Sequence, residues 1–224
     1  EISLGLVGSE MCIRDSLIKW GKKFILLDPY LSDSLTKKYS DTDKPHERIT
    51  EKVINPSELN FINIITSSHN HTDHLDGETL NAMSKADREV QLVLPQANIE
   101  FAEERLGKEN KIRLIGITEE NKITIDGFTI TGIAAAHNEI ERDQNGHPKF
   151  MGLIISFGKW NIYHSGDTLW HPQLTSELLK FSIECGIGAS MKILTNRAKD
   201  LTKLLLPYKP TQILNELAAY KSEN

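Results

Sequence analysis

The sequence predicts an α/β (α+β) protein in which two β-sheets are covered by helices on their outer faces. Three observations carry that expectation. Strand-like segments come in hairpins, turned at Asp126-Gly127 and around Gly158-Lys159, and an Asp-Gly turn matches the twist of its flanking strands. Helical stretches alternate with the remaining strands. One apolar run, Phe61-Ile62-Asn63-Ile64-Ile65, leads into the polar hexapeptide His69-Asn70-His71-Thr72-Asp73-His74, as a strand does when it delivers side chains to a sheet edge.

The elements follow in order. The chain begins with Glu rather than Met and reads as a fragment or a processed product. Residues 1–16 are expected to be a non-native leader. Leu4 to Ser16 resembles translated sequencing-adapter sequence, which would leave Cys12 without a role; the alternative is an ordinary first strand from Ile2 to Val7. Lys23 to Asp28 predicts a buried strand stopped by Pro29. A polar, loop-like stretch runs from Ser32 to Pro56, followed by a strand over 61–66, the ligand loop and a helix near 77–86. Gln91 to Leu94 predicts a strand closed by Pro95, and Ala97 to Leu106 a helix. Lys111 to Ile117, Lys122 to Ile125, Phe128 to Ala135, Phe150 to Phe157 and Asn161 to His164 predict further strands. From about Ser182 the text changes character. Met191, Leu194, Ala198, Leu201, Leu204 and Leu205 recur near the helical repeat, Pro207 and Pro210 interrupt it, and Thr211 can cap a second helix. Residues 182–224 are thus expected to form an atypical helical tail.

Bulk properties limit the function classes. A chain of 224 residues with 39% hydrophobic and 25% charged residues suits one soluble domain with a real core. Its formal charge of −5 gives no electrostatic invitation to nucleic acid, which lowers a nuclease reading without excluding it, because metals and a local patch could supply positive charge. No apolar run is long enough to span a bilayer, and no basic segment precedes the short run at 3–7 that a secretory signal would need. Two cysteines, Cys12 and Cys185, read as free thiols of a reducing compartment, which makes the cytoplasm the default location. Oligomeric state is not written in the sequence.

The hexapeptide carries the chemistry. His69 and His71 alternate by two and face one side of an extended segment, while Asp73 and His74 follow where the chain must turn. Imidazole and carboxylate without a neighbouring Cys suit zinc, manganese or iron rather than a structural thiolate site. His137 and Asp167 each follow a strand-like segment, so both can converge on the same sheet edge. Alone, His137 would read as a hydrogen-bonded structural residue and Asp167 as part of a turn.

Together, His-x-His-x-Asp-His at 69–74, His137 and Gly166-Asp167-Thr168 resemble the metallo-β-lactamase fold superfamily of hydrolases. Asp28-Pro29-Tyr30-Leu31-Ser32-Asp33, Ser68 to Asp76 and Tyr163 to Trp170 are similar to the branch containing L-ascorbate-6-phosphate lactonase. The likeness covers about residues 17–181. It implies a four-layer αββα sandwich with an atypical C-terminal part, and a dinuclear centre of two divalent ions, Zn²⁺ or Mn²⁺ with Fe as a further option. By the same likeness His69, His71 and His137 hold one ion, Asp73 and His74 the other, and Asp167 bridges them. The superfamily usually adds one more His to the second site from a later loop. Here the only His after Asp167 is His171, four residues on. Either the second site lacks a ligand, His171 substitutes, or the sequence is truncated or frame-shifted near Ser182.

The implied activity is a metal-dependent hydrolase using a metal-bound hydroxide on a small ester, lactone or phosphoester. Asp73 is the candidate catalytic residue, orienting the nucleophile and collecting its proton. His164 and Glu139 are candidates to accept from ligating imidazoles, and Asp28 to support the ligand loop. Trp170 and His171 could line a pocket or simply pack. The alternatives are a phosphodiesterase, either phospholipase D-like or a nuclease, and an inactive metal-binding chain.

Overall fold

The computed structural model describes residues 2–6, 16–46, 48, 52, 54–85 and 88–187. Among these, β1 (Ile2–Leu6), β2 (Ser16–Trp20), β3 (Lys23–Leu27), β4 (Ile64–Thr66), β5 (Gln91–Pro95) and β6 (Arg113–Ile117) lie side by side in that order as one sheet. A second sheet places β7 (Lys122–Ile125), β8 (Phe128–Ala134), β9 (Met151–Phe157), β10 (Trp160–His164) and β11 (Cys185–Ile187) side by side. The helices are α1 (Ser34–Lys38), α2 (Gly77–Met83), α3 (Ile99–Leu106) and α4 (Pro172–Leu178).

Two-residue alternation sorts the strands into layers. Ile25, Leu27, Ile64 and Val93 point inward and meet Phe128, Ile130, Leu153 and Ile155 of the other sheet. Their neighbours Leu26, Ile65, Leu92 and Leu94 point the opposite way, onto Leu80 and Met83 of α2 and Ala102 and Leu106 of α3. On the far side Ile133, Ile154 and Tyr163 receive Leu174 and Leu178 of α4. The layers run helix, sheet, sheet, helix, as expected. Because both faces of the central strands are covered, their sequences read as continuous apolar runs rather than alternating ones.

The hairpin turn at Asp126-Gly127 is present, with φ of +52° and +85°, the left-handed pair that closes a two-residue hairpin. Several boundaries differ from expectation. β4 occupies only the last three residues of the strand expected over 61–66, because Phe61 and Ile62 bury their side chains before the ladder begins. The stretch read as a loop after Ser32 contains α1, whose five residues show little periodicity. Neither β2 nor α4 was anticipated. Beyond residue 181, Cys185–Ile187 pairs parallel with β10 and extends the second sheet. The helices expected over 190–206 and from Thr211 lie outside the described residues, as does Cys12. The Cys185 thiol is free and half-buried.

This topology sets where the loops meet. β3 and β4 are parallel, so the loops after Leu27 and Thr66 leave the same edge. β8 and β10 are each antiparallel to β9 and therefore run in the same direction, so the segments after Ala134 and His164 also emerge together. A hydrogen bond from Met151 N to Ser68 O, 3.0 Å, joins the two sheets at that edge.

Candidate metal centre

All six sequence-predicted site residues follow strand ends at this edge: His69, His71, Asp73 and His74 after β4, His137 after β8 and Asp167 after β10. The rings of His69 and His71 are 4.5 Å apart, those of His69 and His74 4.0 Å, and those of His71 and His137 4.9 Å, between centroids. Phe150, just before β9, packs against His69, His71 and His137. Asp167 Oδ2 lies 3.4 Å from His74 Nε2 and 4.0 Å from His69 Nε2. Donor atoms of His69, His71 and Asp167 all fall within 4.8 Å of one another. Asp73 Oδ2 is 3.8 Å from His74 Nε2.

Asp28 organises the inner half of this cluster. Fully buried, it accepts hydrogen bonds from Ser68 N at 2.9 Å, Thr66 Oγ1 at 3.4 Å, His74 Nδ1 at 2.7 Å and the Ser68 hydroxyl. The Ser68 hydroxyl, having given its proton to Asp28, can accept from His69 Nδ1 at 3.0 Å. One carboxylate thereby fixes the protons of both imidazoles on Nδ1 and turns both Nε2 atoms toward Asp167. Those two Nε2 atoms are buried and have no hydrogen-bond partner. Buried nitrogens without partners are costly unless something else satisfies them. Nitrogen and oxygen donors at this spacing fit a divalent cation.

Asp28 and Ser68 meet the Nδ1 atoms of His74 and His69, and His164 acts on Asp28 from beside it. His164 is buried with Nδ1 unpartnered, and Glu139 is exposed. His171 spends Nδ1 on Leu174 N at 3.2 Å, capping α4, and Trp170 is largely exposed. Ser68 was missed, since a Ser before a His carries no signal of its own. Gly166 is required by the approach of the Asp167 loop. Its φ is +54°, and a Cβ there would lie 2.7 Å from Ser68 Cβ. The loops after β8 and β10 are tied through Leu169 N to Ala136 O at 2.7 Å and Ala136 N to Thr168 Oγ1 at 2.9 Å.

Electrostatics divide the imidazoles. Burial, with His74 beside it, drives His69 down to about 2, so it stays neutral. Burial and His137 also lower His71. Burial opposes charge on His74, but the carboxylates of Asp167 and Asp28 on either side of the ring outweigh it and raise it to about 9. Burial works against Asp28 too, yet His164, His74 and Ser68 hold its carboxyl below the usual value. In the metal-free chain this favours the charged form of His74 up to about pH 9, and an ion bound through its Nε2 would have to displace a proton. Titrating zinc into weakly buffered protein at pH 7–8 is expected to release about one proton per chain, and apparent affinity to climb with pH until about 9. Binding without proton release would contradict this.

Beside His71 and Asp73 opens a cleft of about 610 Å³, bordered by Lys38, Tyr39, Phe101 and Arg105, within the range of small-molecule sites. Among the described residues no helix is long and apolar enough to cross a membrane.

Residues 23–183 match the family model described as the beta-lactamase superfamily domain. A UPF0173 metal-dependent hydrolase of Thermoplasma acidophilum is 27% identical over 66% of this chain and 54% of its own length. Another, from Methanosarcina mazei, is 26% identical over 71% of this chain and 61% of its own. The chain thus spans little more than half the length of these curated relatives. Among solved structures, an isothiocyanate hydrolase from Delia radicum gut bacteria has a TM-score of 0.63 at 18% identity, covering 89% of this chain and 81% of that one. The metallo-β-lactamase fold protein YhfI from Bacillus subtilis has a TM-score of 0.56 at 17% identity, covering 83% and 69%. With two sheets between helices, ligand-type residues at one shared edge and a family match over most of its length, the chain belongs to the metallo-β-lactamase superfamily.

Proposed function

We propose that this chain is a metal-dependent hydrolase of a small ester, lactone or phosphoester, akin to the lactonase branch its three motifs resemble. The observation that carries the reading is the pair of buried Nε2 atoms of His69 and His74, both directed at the Asp167 carboxylate. His69, His71 and His137 would hold one divalent ion, Asp73 and His74 a second, and Asp167 would contact both. Bound there, the ions supply Lewis acidity for activating water and stabilising developing negative charge. The remaining work falls to the chain. Asp28 and Ser68 meet the inner imidazoles at Nδ1 and aim their Nε2 atoms at the site. Asp73, partly exposed beside the cleft, orients the attacking water and accepts its proton. The cleft beside His71 admits the substrate, and Phe150 shields one side of the imidazole cluster from water.

A panel of lactones, carboxylic esters, phosphomonoesters and phosphodiesters tests this reading. Turnover of a lactone, ester or phosphomonoester is expected, lost on chelation and restored by zinc or manganese. Turnover that survives chelation, or that is confined to phosphodiesters, would refute it.

A further inference from the structure

Arg105, in the last turn of α3, takes no part in ligation or proton transfer, yet it touches the ligand loop twice. Its Nη1 donates to Asn70 O at 2.7 Å and to Leu75 O at 3.0 Å. Those carbonyls bracket His71, Thr72, Asp73 and His74, so one guanidinium spans the four residues that carry three of the candidate ligands. Its carbon stem is confined as well. The guanidinium stacks on the Phe101 ring, 4.3 Å from its centroid, and a Cβ at Gly77 would lie 3.2 Å from Arg105 Cγ. α2 and α3 therefore close around the side chain. No carboxylate of the described residues forms an ion pair with it; burial lowers its affinity for its proton and the more distant Asp76 carboxylate only partly offsets this. A half-buried arginine whose directed bonds go to two loop carbonyls is placed for geometry rather than for charge pairing.

The loop needs such a hold at its outer side. The inner end is fixed by Asp28 and Ser68, and Ser67 Oγ donates to His69 O at 2.8 Å. Between the two ends the chain makes a single turn, with His74 N and Leu75 N both bonded to His71 O. His71 is exposed, so its position depends on the loop backbone as well as on its ring contacts with His69, His137 and Phe150.

We propose that Arg105 is a positioning residue that clamps both ends of the ligand loop, so that His71 and Asp73 keep their register with His69 and Asp167. The proposal rests on the metal-centre reading and names a residue of α3 as part of its support. Loss of residues that orient ligands weakens metal binding by about ten- to a hundredfold.

The test compares the full chain with Arg105→Met and Arg105→Lys, and with Arg113→Met as an exposed control. Hydrogen exchange of the His74 and Leu75 amides is read in metal-free protein, and cobalt(II) affinity and visible spectrum in loaded protein. In Arg105→Met, exchange at those amides is expected to quicken by about tenfold while β4 and β5 are unchanged. Cobalt(II) affinity is expected to fall by about ten- to a hundredfold with an altered spectrum. Arg105→Lys, which keeps a donor without the planar fork, should recover part of both, and Arg113→Met should match the parent. Unchanged loop exchange in Arg105→Met, or exchange quickened uniformly through the sheet, would overturn the clamp. A parent that binds no cobalt(II) would instead sink the metal-centre reading, with the exchange measurement still deciding the clamp.

Discussion

Replacing Asp28 is expected to cost the metal-free protein about 3–5 kcal/mol, as removal of one member of a buried charged pair does. Four donors converge on this carboxylate: Thr66 Oγ1, Ser68 N, the Ser68 hydroxyl and His74 Nδ1. Two oxygens can accept them all; an amide cannot, since its NH₂ would face donors. Asp28 also sits at φ +42°, where alanine adds backbone strain to the lost bonds. Asp28→Asn isolates the electrostatic part. Because Asp28 titrates below its usual value, the stability it contributes is present above about pH 4 and is lost as pH falls through its folded-state value. Urea unfolding at pH 7 checks this: a loss near or below about 1 kcal/mol in Asp28→Asn would show that the network is incidental.

Asp167→Ala is expected to behave in the opposite manner, abolishing function while sparing the fold. Its side chain is partly exposed, and Oδ2 lies opposite His69 and His74. His74 retains Asp28 in the variant, so the metal-free melting temperature should stay within about 4 °C of the parent. Hydrolysis should fall by on the order of a hundredfold or more, since the carboxylate proposed to serve both ligand sets is gone. Parental kcat/KM in this variant would remove Asp167 from the mechanism. A collapse of the melting temperature would make it a structural residue.

These contrasting roles show how far the residues could be read in advance. The two-sheet architecture was legible because each central strand, such as Gln91–Pro95, is a short apolar run ended by Pro or by ligand text. The hexapeptide was legible because six consecutive positions hold three imidazoles and a carboxylate, more than a surface loop requires. Asp28 was read as a support only from its place after a strand; the four donors that make it central come from β4 and the loop after it, a relation the linear sequence does not display. Ser68 and Arg105 carry no local signature, because their partners are a carboxylate 40 residues away and backbone carbonyls 30 and 35 residues away. α1 and α4, of five and seven residues, are too short for periodicity to register. Of the two further candidates, His164 is buried beside Asp28, whereas Glu139 is exposed.

The most direct test counts metal ions. Chain stripped with chelator, reloaded with zinc or manganese and dialysed is analysed by elemental mass spectrometry alongside Asp167→Ala. Convergence of residues 69–74, 137 and 167 on a pair of cations predicts two tightly held equivalents per parent chain and a clear loss in the variant. One equivalent or none in the parent, or the same content in both proteins, would contradict it.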